Sequence, residues 1–232
     1  MKNTALEFLE QDKVLHMDMI FPIKRGTADI IYAGDNGVLL QELESEIFML
    51  SATCMNKGKQ LLDQLGHKGC YCLHQEGLAV YLQSKHPIER IMPVFQGVYL
   101  GSNKIQPDTP PRLKIKQLDS SYIDAVCQIY KTIGEDYTKG RVAKGAVYGG
   151  FIDGKLCGMI GQHEEGGIGM LEILPEYRRH GLGIELSIFM TNLILEQGQT
   201  PFVQMREENH ASISLCNNLG YVLSSEKVYW LF

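Results

Sequence analysis

The chain has 232 residues, 44% hydrophobic and 21% charged, with one tryptophan and a formal net charge of −5; the length fits one large domain or two smaller ones, and the composition excludes disordered and fibrous classes. Lysine plus arginine number ten against thirteen acidic residues before residue 111, and twelve against fourteen from there on, so neither half has the basic excess of a nucleic-acid binder. Glu7, Glu10, Asp12 and Lys13 interrupt the apolar stretch that a signal peptide needs, no run approaches the roughly 18 apolar residues of a membrane span, and the six cysteines include no C-x-x-C pair, so a cytoplasmic protein with reduced thiols is expected.

Along the chain, ADIIYA, the turn GDNG, GVLLQE and EIFMLS read as three short strands of a meander. A helix is expected near residues 54–65, then a strand GCYCLH, a helix QEGLAVYLQSK and a strand within RIMPVFQGVYL. Cys70, Cys72 and His74 alternate and so share one strand face. A metal site there lacks a second ligand pair at suitable spacing, so a buried strand is favoured and no metal is expected. The stretch SNKIQPDTPPR, residues 102–112, reads as a linker. It separates an α/β N-terminal domain of unknown role, residues 1–101, from a second domain, residues 113–232.

In the second domain LKIKQL reads as a strand, and Ile123, Val126, Cys127 and Tyr130 recur at helical spacing. GEDYTKGRVAKG, residues 134–145, is a mixed-charge stretch. AVYGGFI and KLCGMIGQH form a hairpin around DGK, with IGMLEIL as a third strand after EEGG. Leu182, Leu186, Phe189 and Leu193 mark one stripe of a helix over residues 182–197, stopped by Gly198. A strand PFVQM, a helix over residues 209–219 and two short strands around YVLSS and KVYWLF close the chain.

The segment PEYRRHGLG, residues 175–183, joins the strand IGMLEIL to the long helix. The first backbone N–H groups of a helix lack intrahelical partners, and the helix dipole favours negative charge beside them. Gly181 and Gly183 keep side chains away from that backbone, while Arg178, Arg179 and His180 add charge, so the turn suits phosphate. A P-loop sequence is absent, and a dinucleotide fingerprint would need glycine where Leu186 stands. A solvated, glycine-eased turn remains the plain alternative.

The spacing Arg178, Gly181, Gly183 matches the Q/R-x-x-G-x-G/A pyrophosphate motif of the GNAT superfamily of acyl-CoA-dependent N-acyltransferases, and LEILPEYR resembles that family's fourth strand and its exit. NHASISLCNNLGY resembles the family's later N-x-x-A/S-x-x-L-Y-x-x-x-G-F/Y segment, and the tail through KVYW is similar to the glycine N-acyltransferase-like branch. The resemblance implies a mixed α/β (α+β) fold, with a mostly antiparallel sheet flanked by helices, after a smaller N-terminal α/β domain that is itself a candidate degenerate copy. It implies acetyl-CoA or another acyl-CoA as co-substrate, held by Ile173, Leu174, Arg178, Arg179, His180, Gly181, Leu182, Gly183, Ile184 and Asn209. The pantetheine arm would lie in a splay between the fourth and fifth strands.

An amine would then attack the thioester directly in a ternary complex. Glu172 is the candidate base, because burial would raise its pKa, although a half-exposed strand position gives the same sequence. Glu164 and Glu165 could act through water. The family's proton-donating tyrosine corresponds to Cys216, with Tyr221 and Tyr137 as further candidates; a buried helix cysteine and a plain N-cap Asn209 are the simpler readings of those positions. Two functions fit: an N-acetyltransferase acting on a small primary amine or amino-acid-like acceptor, without nucleic-acid or membrane partners, or a CoA-binding module with weak catalysis.

Overall fold

In the computed structural model, which describes residues 1–66 and 69–232, the chain packs as two units: Met1–Val98 with Phe202–Phe232, and Tyr99–Pro201. This division differs from a break at 102–112. The chain leaves the first unit just before that linker, but its last strands return there to pair with strands from the N-terminal half.

In the first unit, strands β1 (Ala28–Gly34), β2 (Gly37–Glu42), β3 (Phe48–Ala52), β4 (Tyr71–Leu73), β5 (Ile91–Val98), β10 (Phe202–Arg206) and β11 (Val222–Leu231) lie in the order β1-β2-β3-β4-β11-β5-β10. Every pair is antiparallel except β3 with β4. That exception follows from the helix α3 (Met55–Leu65), which carries the chain back to start β4 in the direction of β3. Phe48 and Leu50 of β3 and Tyr71 and Leu73 of β4 pack with Leu61, Leu62 of α3 and Leu78, Leu82 of α4 (Glu76–Lys85). The two strands expected at the C-terminus are one strand. Its pairing with β5 is interrupted between Leu223 and Lys227, where Ser224 Oγ accepts the Gln96 N–H and donates to Glu226 O.

Two helices are absent from the sequence reading, α1 (Lys2–Leu9) and α2 (Met17–Arg25), and Cys72 and His74 face α2. Seven successive residues of α2, Met17 to Ile23, are buried, so the segment has no stripe to reveal it, and Pro22 argues against a helix. Asp18 of α2 is fully buried and accepts from His74 Nε2 at 2.9 Å, Cys72 Sγ at 3.3 Å and Gln204 Nε2 at 3.3 Å. Cys72 and His74 thus do share a face, and they serve a carboxylate there. Burial alone would raise the Asp18 carboxyl, but the charge and hydrogen bond of His74 outweigh it and hold it below the usual carboxylate range.

His16, just before α2, donates from Nδ1 to Leu9 O at 3.0 Å and accepts the Ser51 hydroxyl at Nε2, 2.8 Å away. That pattern is the neutral imidazole. Burial and the neighbouring His74 charge lower its pKa from 6.5 to about 4.

The second unit has strands β6 (Lys114–Gln117), β7 (Val147–Ile152), β8 (Lys155–Gln162) and β9 (Ile168–Ile173), an antiparallel ladder in chain order reversed. Leu118, Val147, Phe151, Met159 and Met170 pack with Val126 and Tyr130 at α5 (Ile123–Ile129) and with Val142 of α6 (Glu135–Ala143). The helix α7 (Leu182–Glu196) covers the other face, with Phe189 against Tyr148 at 5.2 Å between ring centroids. No helix among the described residues is long and apolar enough to cross a membrane, and no group of three or more histidine, cysteine, aspartate or glutamate residues among them could hold a metal ion.

The unfolded chain binds a proton at His16 below about pH 6.5 and the folded chain only below about 4, so stability rises with pH across that window and is lost as pH falls through it. His16 contributes up to about 3 kcal/mol there, at roughly 1.4 kcal/mol per pH unit. Chemical denaturation of His16→Gln between pH 7 and 4.5 should show a shallower pH slope than the wild type.

Candidate functional site

After β9 the chain makes one 3₁₀ turn, Pro175–Tyr177, and enters α7 through two left-handed residues, Arg179 at φ +66° and Gly181 at φ +77°. Left-handed residues in such a turn direct successive backbone N–H groups to one side, and α7 adds its own unpartnered first N–H groups. Leu182 is buried and anchors the turn, while Arg179, His180, Gly181 and Ile184 are exposed and Gly183 is partly so. A Cβ at Gly181 would meet only Arg112 Nη2, at 3.6 Å. Arg112 is held in place by Glu185 in the first turn of α7, which accepts from the backbone N–H of Arg112 at 2.8 Å, from its Nε at 3.3 Å and from the Leu113 N–H at 3.0 Å. Sequence reasoning missed both residues, since nothing in PPRL foretells a partner 73 residues on.

Arg178 points elsewhere. Its Nε donates to Ile173 O at 2.9 Å, closing the end of β9. Leu174 N–H donates to Cys157 O and Leu174 O accepts from Tyr177 N–H, each at 2.9 Å. The carbonyl of Ile173 and both backbone polar groups of Leu174 therefore already have partners within this unit.

On β9 the pairing with β8 slips, with Gly161 opposite Gly169 and Met159 opposite Glu172, so that Met170 and Leu171 together face Ile160. Met170 takes φ +53° to allow it. Such a bulge shifts the alternation of side chains by one, and Gly169 and Glu172 come to share a face. Glu172 is half-buried, makes no hydrogen bond among the described residues, and is raised above its ordinary pKa by burial, partly offset by Arg178.

Beside it lies Tyr130, a buried phenol pushed up to about 12 by its burial, with the charges of Glu172 and Glu165 adding to the effect. Tyr137 of α6 and His163, in the turn after β8, meet at 2.6 Å between Oη and Nδ1. Burial and Arg141 lower the imidazole to about 4, and burial and Glu165 raise the phenol. Buried Arg141 donates to Gln162 O at 2.9 Å and His163 O at 3.3 Å; its Nη1 has no hydrogen-bond partner and faces Glu164 at 3.9 Å. The expected mixed-charge stretch thus becomes a helix whose inner face carries Tyr137 and Arg141.

Asn209 and Cys216 belong to α8 (His210–Asn218) in the other unit. Asn209 Oδ1 accepts the Ser212 N–H at 3.2 Å and caps the helix. Cys216 is buried, and burial pushes its thiol up to about 12, which makes it a reluctant proton donor. Tyr221 is buried as well.

Residues 146–231 match the family model described as FR47-like protein. No curated protein sequence gives a significant match. Among solved structures, a Drosophila protein is 18% identical with a TM-score of 0.67 over 84% of this chain and 74% of its own. A putative GNAT-family acetyltransferase from Novosphingobium aromaticivorans is 16% identical with a TM-score of 0.59, covering 95% and 96% of the two chains. A GCN5-related N-acetyltransferase-like protein from Streptococcus suis is 13% identical with a TM-score of 0.56 over 99% and 100%. The chain therefore has the GNAT fold, mixed α/β and mostly antiparallel, as an arrangement shared with such structures along nearly its whole length.

Glu185 gathers three N–H donors at a largely buried carboxylate. Glu185→Ala should lower stability by about 1 to 3 kcal/mol, with a smaller loss for Glu185→Gln, read from the urea midpoint.

Proposed function

We propose that this chain is an acyl-CoA-dependent N-acyltransferase of the glycine N-acyltransferase-like kind, moving an acetyl or other short acyl group to a small primary amine or amino-acid-like acceptor in the cytoplasm, without nucleic-acid or membrane partners. The observation that carries the reading is the entry to α7. Left-handed Arg179 and Gly181, an open backbone and the Arg112 guanidinium converge where a pyrophosphate would sit. The residues fit the group. Arg179, His180, Gly181, Leu182, Gly183 and Ile184 would hold it, with Arg112 added to the set read from sequence. Ile173 and Leu174 would contribute only after exchanging a present partner or through a second lone pair.

Acyl-CoA supplies the activated carbonyl and the thiolate leaving group. Glu172 removes the proton that the amine loses as the C–N bond forms and the C–S bond breaks, and its raised pKa makes it a better base than an ordinary carboxylate. The departing sulfur must gain a proton. The reluctance of the Cys216 thiol favours water or a hydroxyl for that role. The same thiol supports a second reading, a CoA-binding module with weak turnover, and thiol release from acetyl-CoA across an amine panel separates the two.

Gly181→Val places a β-branched residue at a left-handed position and should abolish CoA binding by calorimetry while the circular dichroism spectrum stays native; retained affinity would remove the basis of the reading. Glu172→Gln should bind CoA nearly as well as the wild type and turn over about 10²- to 10⁴-fold more slowly. Its deficit should shrink at high pH, where the amine is already neutral. Cys216→Ala should turn over close to the wild-type rate, and a dead variant that still binds CoA would reassign the acid to Cys216.

A further inference from the structure

The pair Tyr137–His163 takes no part in the proposed acyl transfer, and its surroundings fix where its protons lie. The imidazole is neutral at physiological pH, being held near 4, and the phenol, raised by burial, keeps its proton. Tyr137 has His163 as its sole hydrogen-bond partner among the described residues. Were Nδ1 the donor, the half-buried phenol O–H would be left without an acceptor, at a cost of about 1 to 3 kcal/mol. The phenol therefore donates to Nδ1, and the ring proton sits on Nε2.

The Nε2–Cδ2 edge of the ring lies against Gly169, where a Cβ would collide with both atoms. Glycine at this position is what lets that edge approach β9. This Nε2–H has no protein acceptor among the described residues, and the bulge puts it on the same strand face as Glu172. Arg141 holds the main chain of His163 through His163 O, and its buried Nη1 has no hydrogen-bond partner.

The surrounding charge says what kind of oxygen this donor meets. Three cations, Arg141, Lys144 and Arg178, stand against three carboxylates: Glu164, which lies 3.9 Å from both Arg141 and Lys144, Glu165, whose charge reaches Tyr137 and Tyr130, and Glu172, which Arg178 offsets. The charges balance. A substrate carboxylate would meet no net positive field to offset its desolvation, so a neutral donor in this place suits an uncharged carbonyl.

We propose that His163, aligned by Tyr137 and Arg141, donates its Nε2–H to the carbonyl oxygen of the acceptor, and that the acceptor is an α-amino amide rather than a free amino acid. The inference rests on the acyl-transfer reading and narrows its substrate class. Small amides and peptide N-termini share this chemistry.

The test compares kcat/KM for glycinamide, C-terminally amidated triglycine, glycine and ethylamine. The wild type should favour glycinamide over both glycine and ethylamine by about 3- to 10-fold, the range of one neutral hydrogen bond. If triglycine amide surpasses glycinamide the source is a peptide N-terminus, and the reverse order points to a small amide. His163→Ala should bring the glycinamide-to-ethylamine ratio close to one through a raised KM, and His163→Gln, which keeps a donor, should restore part of it. Tyr137→Phe, which frees the tautomer, should give an intermediate ratio. A preference for glycine, or a ratio unchanged in His163→Ala, overturns the proposal.

A second measurement stands apart from turnover. With CoA bound, glycinamide should shift the ¹⁵N resonance of His163 Nε2 and glycine should not. If no amine releases thiol but this shift appears, the acyl-transfer reading fails and the amide site survives. If amines are acylated and the shift is absent, the amide site fails alone.

Discussion

The left-handed backbone of Met170 is the constraint on which the candidate chemistry depends. A methionine there costs on the order of 1 to 2 kcal/mol relative to ordinary strand geometry, and the flanking ladder with β8 enforces it. Without the extra residue, Gly169 and Glu172 would lie on opposite faces of the sheet. With it, one face carries the carboxylate, a gap for an imidazole ring and the phenol of Tyr130, while Met159 and Met170 remain in the core. Strain of this kind next to a prospective site agrees with the general tendency of functional strands to carry bulges.

Two buried polar clusters show how differently similar residues can be employed. In the first unit Asp18, His74, Cys72, Gln96 and Gln204 satisfy one another, Trp230 Nε1 donates to Gln204 at 2.7 Å, and Gln96 also reaches the carbonyls of Val14 and Leu15. A closed network of that sort fixes α2 to its strands and does little else. The cluster of the second unit is incomplete. Glu172, His163 Nε2 and Arg141 Nη1 lack hydrogen-bond partners among the described residues, and incompleteness in a half-buried setting is what a ligand can relieve.

Much of the fold could be read from the sequence wherever period and punctuation agreed. The hairpin around DGK, the stripe through Leu182, Leu186, Phe189 and Leu193, and the stop at Gly198 all carry local signals, and α7 ends at Glu196. The helices α1 and α2 escaped because α2 is buried on nearly every side and holds a proline. The left-handed turn into α7 was legible through Gly181, whose backbone requirement is local. Arg112 with Glu185, and His163 with Tyr137, were not, since each pair is made by tertiary packing across many residues, and the bulge at Met170 went unread although Gly169 stands beside it in the strand. Cys70, Cys72 and His74 show the opposite case. Their alternation was correctly seen, but the carboxylate that gives two of them a purpose sits 54 and 56 residues earlier.

The return of β10 and β11 to the first unit bears on how the chain is made. β5 lies between β11 and β10, and β4 between β3 and β11, so β4 has one neighbour and β5 has none until β10 and β11 have been made. Throughout synthesis of residues 99–201 the nascent N-terminal half presents open edges at β4 and β5, a condition that invites pairing with other chains. Each strand pair from β6 to β9 is made within the intervening unit. A gene fragment encoding only residues 1–101 would then be expected to give an aggregating product, and a break placed between Pro201 and Phe202 would leave the two pieces dependent on reassociation for a complete sheet.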